Sequence, residues 1–167
     1  LLILINEVLD LSKIEAGKME LEFLEVSVKE ITDTMKNLFS IVAKEKNIEL
    51  KIHVNENVPG TIDTDKMRLE QVLKNLVSNA LKFTKTGSVS LHVKSAANKK
   101  GYIDFAVIDT GIGIPADKQD LIFEAFQQAD GSTRRNFGGT GLGLSISRQL
   151  SKLLGGEIAV KGTPGKG

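Results

Sequence analysis

The chain has 167 residues, with 22 lysines and arginines against 21 aspartates and glutamates and a formal net charge of +1. This length suits one domain with its own core and a short appendage, and the balanced charge does not indicate nucleic acid as a partner. Cysteine is absent, which excludes disulfide bonds, a thiolate metal site and a cysteine nucleophile. The two histidines, His53 and His92, are too few for a zinc site built from histidine alone.

The N-terminal stretch LLILINEVLDLSKI has apolar residues at helical spacing. They form two stripes: Leu4, Val8 and Leu11, and beside them Leu2, Ile5 and Leu9. The stretch is too short and too charged to span a bilayer and lacks a signal-peptide pattern, so we expect a cytoplasmic chain without direct membrane contact. Because a helix apolar on two sides needs partners, we interpret it as the end of a longer helix that packs in a bundle or dimer. A core helix of this same domain is the alternative.

A boundary follows this first helix. Gly17 is predicted to end the helix, and a polar, extended linker comes next. Ser27 and Glu30 then have the spacing of a capping box, which predicts the start of a second helix that reaches about Lys46. We therefore divide the chain into a helix end at 1–17, a linker at 18–26 and a domain at 27–167.

The domain alternates strand and helix patterns. IELKIHV predicts a half-buried strand, and a helix over residues 66–83 is capped by Thr64 or Asp65. SVSLHV and YIDFAVID predict an antiparallel hairpin, PADKQDLIFEAF a short helix, LGLSISRQLSKLLGG a helix that ends at Gly155 or Gly156, and EIAV a final strand. This order predicts an α+β fold, a two-layer sandwich in which helices cover one face of a single mixed or mostly antiparallel sheet.

The helix over residues 66–83 carries a polar stripe. Asn75, Asn79 and Lys82 lie within an arc of about 60°, away from the apolar face of the same helix. Asparagine is a poor residue for a helix interior, so two on one stripe need a reason. Amide oxygens can ligate Mg²⁺ and a lysine can contact phosphate, although a solvated polar face remains the alternative.

Two glycine-rich segments follow. In IDTGIGIP, Asp109 ends a predicted strand before Gly111 and Gly113, an arrangement that suits an exocyclic amine and a flat ring. A tight turn capped by the aspartate is the alternative.

The segment GGTGLG has neither the spacing of a P-loop nor the preceding strand of a dinucleotide-binding loop. It fits a hinge that leads into a helix N-terminus, where free N–H groups favour an anion. The polar loop before it, with Arg134 and Arg135, is predicted to close over a nucleotide as a lid.

Four segments in this order, NLVSNALKFT, DTGIGI, FEAF and GGTGLGLS, resemble the N, G1, F and G2 boxes of sensor histidine kinases. These boxes belong to the catalytic ATP-binding domain of the GHKL superfamily, and the resemblance spans residues 27–162 and implies the Bergerat fold. VLDLSKIEAGKMELE resembles the end of the second helix of the dimerisation and histidine-phosphotransfer domain with its linker. Since the family continues into one more strand beyond GTPGKG, we expect the chain to be truncated at its C-terminus.

The resemblance implies ATP and Mg²⁺ as cofactors. It makes Asn79 the Mg²⁺ ligand, Asn75 a support for metal and phosphates, and Lys82 a phosphate contact. It makes Asp109 the partner of the adenine amino group. The further nucleotide-binding residues that it implies are Phe83, Gly111, Gly113, Phe123, Phe126, Gly139, Thr140, Gly141, Leu142 and Gly143.

Within that set, Gly139, Gly141 and Gly143 would hinge the lid and offer N–H groups to the phosphates. Phe123 and Phe126 would anchor the base of the lid, with plain core packing as the alternative.

The family's phosphoacceptor histidine is missing, because His53 and His92 both lie in predicted strands. The resemblance therefore implies transfer of the ATP γ-phosphoryl group to a histidine on a dimerisation domain outside this chain. It implies a homodimer through that domain, with the receiver domain of a response regulator as a further partner. Two alternatives stay open: an ATPase with Glu70 as general base, which lies about 180° round the helix from Asn79, and a degenerate interaction module.

Overall fold

The structure is a computed structural model that describes residues 2–126 and 140–167. Within these residues the helices are α1 (Leu2–Glu15), α2 (Val28–Glu45), α3 (Lys66–Phe83) and α4 (Gly143–Leu153). The strands are β1 (Leu24–Ser27), β2 (Ile48–Val54), β3 (Thr61–Thr64), β4 (Gly87–Ser95) and β5 (Ile103–Asp109). None of the helices described is long and apolar enough to cross a membrane.

Helix α1 ends as the sequence predicts. Gly17 has φ +64°, its N–H donates to the Ile14 carbonyl at 3.0 Å, and the Lys18 N–H donates to the Lys13 carbonyl at 2.9 Å. This pair of bonds is a Schellman motif, which glycine stabilises because it has no Cβ in the left-handed region. Leu11 and Ile14 of α1 pack against a cluster on α4, whereas the apolar side chains from Leu2 to Leu9 are exposed. Among the described residues, the apolar side chains of α1 are therefore packed only in its last turns, and neither predicted stripe is covered along its whole length.

A small sheet forms where the sequence predicts only a linker. The last residues of the predicted linker form β1, which pairs antiparallel with β3 and runs directly into α2. Ser27 accepts the Glu30 N–H at 3.3 Å and so caps α2 as predicted. Asp65 rather than Thr64 caps α3: its Oδ1 accepts the Arg68 N–H at 3.1 Å, and its Oδ2 accepts the Glu22 N–H of the linker at 3.0 Å.

The larger sheet has the order β2-β4-β5. Strands β4 and β5 form the predicted antiparallel hairpin, while β2 lies parallel to β4. Buried β4 residues such as Leu91 pack against Met35 of α2 and Leu73 of α3, which confirms an α+β sandwich with helices on one face. On the other face the His53 and His92 rings lie 4.7 Å apart, as expected of sheet-surface residues. The prediction of one continuous sheet was wrong, because β1 and β3 form a separate one.

Two predicted elements are absent from the described residues. PADKQDLIFEAF forms two short 3₁₀ turns, Ala116–Lys118 and Leu121–Phe123, instead of an α-helix. Here the Gln119 amide donates to the carbonyls of Ile114 and Gly162, both at 3.0 Å, and this tertiary contact holds the segment in turns. EIAV forms no strand because it pairs with none of the strands described.

Candidate functional site

The two asparagines of α3 form a short chain of side-chain amides. Asn75 Nδ2 donates to Ser147 Oγ of α4 at 2.9 Å, and Asn79 Nδ2 donates to Asn75 Oδ1 at 3.4 Å. Both asparagines are half-buried. The stripe is thus not a fully solvated surface, because α4 packs against it.

The start of α4 closely approaches this amide chain. A Cβ on Gly143 would lie 2.4 Å from Asn75 Oδ1, so a larger residue here would displace the amide from this position. Asn75, Gly143 and Ser147 also line an open cavity of about 420 Å³, together with Lys74 and with Glu7 of α1. Within the described residues this cavity brings together Asn75 of the α3 stripe, Gly143 of the glycine run and Glu7 of α1. Asn79, Lys82 and Asp109 are not among its described lining residues.

Lys82 lies at the C-terminal end of the polar stripe. Its Nζ is 5.0 Å from the centroid of the Phe83 ring, which is half-buried. Partial burial lowers the pKa of Lys82, because the ammonium group loses water that would stabilise its charge. An anion bound beside it would favour the charged form again.

The first glycine loop is seated on the end of α3. The Phe83 carbonyl accepts the Ile112 N–H at 3.3 Å, and a Cβ on Gly111 would lie 2.5 Å from that same carbonyl oxygen. Asp109 Oδ1 accepts the Gly111 N–H at 2.8 Å, which is the tight turn that the sequence left as an alternative. An ionised carboxylate accepts several hydrogen bonds, so this turn leaves Asp109 able to accept another from an amine.

Gly113 lies where this loop meets the C-terminal segment. It has φ +69°, and a Cβ there would lie 2.1 Å from the backbone oxygen of Thr163. The Gly165 N–H donates to the Ile112 carbonyl at 2.8 Å. The loop is therefore fixed between α3 and residues 162–167.

The two predicted lid phenylalanines differ in their surroundings. Phe123 is 8% exposed, and the Arg148 guanidinium lies 5.3 Å from its ring centroid. Phe126 is 67% exposed, has φ +63°, and donates its N–H to the Gly141 carbonyl at 3.0 Å. Core packing thus describes Phe123 and not Phe126. The backbone of Phe126 instead bonds the backbone of Gly141, in the second glycine segment.

The glycine run is described only from Thr140 onward. Thr140 Oγ1 accepts the Leu142 N–H at 3.2 Å, and Gly141 has φ +74°. Leu142 is fully buried in the α4 cluster, so a ligand could meet it only through its backbone. Gly139, Arg134 and Arg135 lie outside the described residues.

Sequence reasoning predicted only Asn75 and Gly143 among the described cavity residues, and it missed Ser147, Lys74 and Glu7 among others. Ser147 follows Gly143 by one helical turn, and that spacing could have placed it on the same face of α4. Lys74 binds Glu70 at 3.2 Å, which leaves the proposed general base in a salt bridge. Glu7 Oε2 is buried and makes no hydrogen bond within the described residues. No local pattern could place Glu7 here, because its position depends on the docking of α1.

The described residues contain no group of three or more histidine, cysteine, aspartate or glutamate side chains that could hold a metal ion. A cation at this site would therefore use amide and phosphate oxygens. The amide oxygens of α3 fit this requirement, because Mg²⁺ prefers oxygen ligands and retains water or phosphate in most of its positions.

Comparison with known proteins agrees with this geometry. Residues 64–167 match the model of the histidine kinase-, DNA gyrase B- and HSP90-like ATPases. The chain belongs to this family. It is 41% identical over 169 residues to the signal transduction histidine-protein kinase BarA of Escherichia coli K12, a match that covers the whole chain and 18% of BarA.

Solved histidine kinases have the same fold. Full-length ShkA in complex with AMPPNP is 37% identical, with a TM-score of 0.87 over 99% of this chain and 33% of that one. ThkA in complex with the response regulator protein TrrA is 26% identical, with a TM-score of 0.70 over 98% of this chain and 47% of that one. The chain is thus a histidine kinase ATP-binding domain, and it spans less than a fifth of the length of BarA.

Proposed function

We propose that this domain binds ATP with Mg²⁺ between α3 and the glycine run and supplies the γ-phosphoryl group to a histidine on a dimerisation domain. The observation that carries the proposal is the amide chain of Asn75 and Asn79, with Gly143 packed against Asn75. The ShkA structure holds AMPPNP, an ATP analogue, in a protein of the same fold. This similarity supports a nucleotide as the ligand.

Each predicted residue has a role in this proposal. Asn79 offers its amide oxygen to Mg²⁺, which neutralises phosphate charge when bound, and Asn75 holds Asn79 in place. Lys82 contacts phosphate, whose negative charge favours the ammonium form and so opposes the lowering of the Lys82 pKa by burial. Asp109 accepts a hydrogen bond from the adenine amino group, and Gly111 keeps the loop seated against the Phe83 carbonyl beside that carboxylate.

The remaining predicted residues surround the nucleotide. Phe83, Gly113, Phe123 and Phe126 shape the base pocket and the base of the lid. The glycines at 139, 141 and 143 offer backbone N–H groups to the phosphates, as helix N-termini commonly do, while Thr140 and Leu142 shape the segment between them through the bond from the Leu142 N–H to Thr140 Oγ1.

In the proposed reaction, the bond from the γ-phosphorus to the bridging oxygen of ADP breaks, a phosphorus–nitrogen bond to the imidazole forms, and ADP leaves, while the remaining imidazole N–H proton passes to a base on the dimerisation domain. The domain contributes positioning and charge stabilisation and needs no nucleophile of its own. His53 and His92 lie on the outer face of the sheet, away from α3. We therefore expect the chain to bind ATP without autophosphorylating, and stable radiolabel on the isolated chain would contradict this.

The partners follow from the same proposal. The acceptor histidine belongs to a dimerisation and phosphotransfer domain. The second helix of that domain ends within residues 1–17, and the linker at 18–26 joins it to the ATP-binding domain. The phosphoryl group then passes to the receiver domain of a response regulator. The complex of ThkA with TrrA supports a partner of this kind.

Calorimetry with ATP and Mg²⁺ tests the proposal directly. We expect Asn79→Ala to weaken ATP binding by about tenfold or more, since it removes the metal's amide ligand. Asp109→Ala should weaken ATP binding to a similar degree, because it removes the acceptor for the adenine amino group. Asn37→Ala is the matched control, because Asn37 is an exposed asparagine on α2.

Unchanged affinity in both site variants would overturn the proposed site. Steady ATP hydrolysis by the isolated chain, lost in Glu70→Gln, would instead favour the ATPase alternative.

A further inference from the structure

Ser147 is the one side chain of α4 that makes a described hydrogen bond to the amide stripe of α3. It is 2% exposed, and its Oγ accepts the Asn75 Nδ2–H at 2.9 Å. The bond joins residues 72 positions apart in the chain. It therefore links the helix that follows the glycine run to the helix that carries the proposed metal ligand.

We infer that Ser147 is a positioning residue for nucleotide binding, which holds the Asn75 carboxamide with Oδ1 turned towards Asn79. The inference rests on the proposed function, because it assumes that the contact between Asn75 and Asn79 is needed for nucleotide binding. A serine hydroxyl can donate as well as accept, so two bonds together define the orientation of the Asn75 carboxamide. Ser147 Oγ accepts from Asn75 Nδ2 at 2.9 Å, and Asn75 Oδ1 accepts from Asn79 Nδ2 at 3.4 Å.

The packing around Asn75 explains why its hydrogen bond to Ser147 matters for the orientation of the amide. Gly143 leaves just enough space for Oδ1, at 2.4 Å from where a Cβ would lie, so the amide oxygen has α4 backbone directly beside it. Without the Ser147 hydroxyl, Asn75 Nδ2 would lose its partner at a buried contact, which is unfavourable. We expect the amide then to rotate towards water, which moves Oδ1 away from Asn79.

Ser151 provides a matched control. It lies one turn further along α4, and its Oγ donates to the Ser147 carbonyl at 2.8 Å. Ser151→Ala therefore removes a serine hydroxyl and one hydrogen bond from the same helix without removing any contact to Asn75. A merely structural effect of losing a helix serine should be similar in the two variants.

The first test needs no nucleotide. In ¹⁵N spectra of the nucleotide-free chain, we expect the Asn75 side-chain NH₂ to exchange slowly with solvent in the parent and in Ser151→Ala. In Ser147→Ala the same protons should exchange several-fold faster. Equal exchange in all three proteins would overturn the inference regardless of whether ATP binds.

The second test is a double-mutant cycle measured by ATP–Mg²⁺ calorimetry. Ser147→Ala should weaken binding by about fivefold to tenfold in the parent chain and by less than about twofold in the Asn75→Ala background. Ser151→Ala should change neither. If Ser147→Ala weakens binding equally in both backgrounds, or not at all while Asn79→Ala does, the positioning role is wrong and the proposed site stands. If Asn75→Ala and Asn79→Ala both leave affinity unchanged, the proposed site itself is wrong.

Discussion

The glycine loop at 111–113 and the glycine run that ends at Gly143 both contact α3, but the glycines of the first lie against backbone oxygens and Gly143 lies against a side-chain amide. In the first loop, the space that a Cβ would occupy on Gly111 or Gly113 is taken by backbone oxygens of Phe83 and Thr163. In the second, the space beside Gly143 is taken by the tip of the Asn75 side chain. Backbone cannot move without moving the fold, whereas an amide can rotate. The first loop is therefore part of the scaffold, and the second acts on a side chain to which we assign a role in nucleotide binding.

The largest effect should come from Gly113→Ala. The substitution combines a left-handed φ of +69° with a contact at 2.1 Å to the Thr163 oxygen. We expect a loss of about 3 kcal/mol in the free energy of unfolding, which lowers Tm by roughly 6–12 °C.

Gly101→Ala is the control, since Gly101 has φ +82° with no atom within 4 Å of the added Cβ. It should lose only about 1 kcal/mol. Equal losses measured by thermal unfolding would mean that the contact with Thr163 contributes nothing, and the distinction between the loops would fail.

Gly143→Ala should separate binding from stability. Alanine is favourable within a helix, so Tm should change by no more than about 2 °C, while the displaced Asn75 amide weakens ATP binding by about tenfold. Calorimetry and thermal unfolding on the same samples measure both quantities.

Gly60→Ala serves as control, because no atom lies within 4 Å of its added Cβ and its φ is not positive. A large fall in the Tm of Gly143→Ala with unchanged ATP affinity would place the second loop in the scaffold as well.

The smallest effect concerns Lys82. Burial lowers its pKa in the folded chain, so the folded state loses this proton before the unfolded state does. The free energy of unfolding should consequently rise slightly with pH between the lowered pKa and the ordinary value of lysine. ATP affinity should move the other way and fall a few-fold across this window, because the neutral amine no longer attracts phosphate.

ATP titrations at several alkaline pH values measure this slope. The Lys82→Met variant should bind ATP more weakly and lose most of the slope. An equally steep fall in that variant would assign the pH dependence to another group.

Much of the fold could be predicted because its signals are local. The N-cap of Ser27 and the helix stop at Gly17 depend on neighbours within a few residues, and both form as expected, although the Glu30 carboxylate of the predicted capping box bonds Lys66 instead. Strand β1 could not be recognised, since it has four residues and its partner β3 lies far along the chain. EIAV failed for the same reason: a strand needs a partner, and the sequence pattern does not supply one.

The site divides in a similar way. Helical geometry placed Asn75 and Asn79 on one stripe, and they contact each other. The bond from Asn75 to Ser147 and the close approach of Gly143 depend on how α4 docks on α3, which no periodicity reveals. The roles of these residues, and the division of the chain at 17 and 26, remain predictions.

The carboxylate of Asp65 is shared by two parts of the chain. One oxygen caps the first turn of α3, and the other holds the Glu22 N–H of the linker. Strand β1 begins two residues after Glu22 and pairs with β3, which ends at Thr64, directly before Asp65. In mechanical terms, Asp65 fastens the linker to the base of α3, close to where Asp10 of α1 bonds Arg68 and Gln71 of the same helix, so tension applied along the linker is transmitted to the first turns of α3.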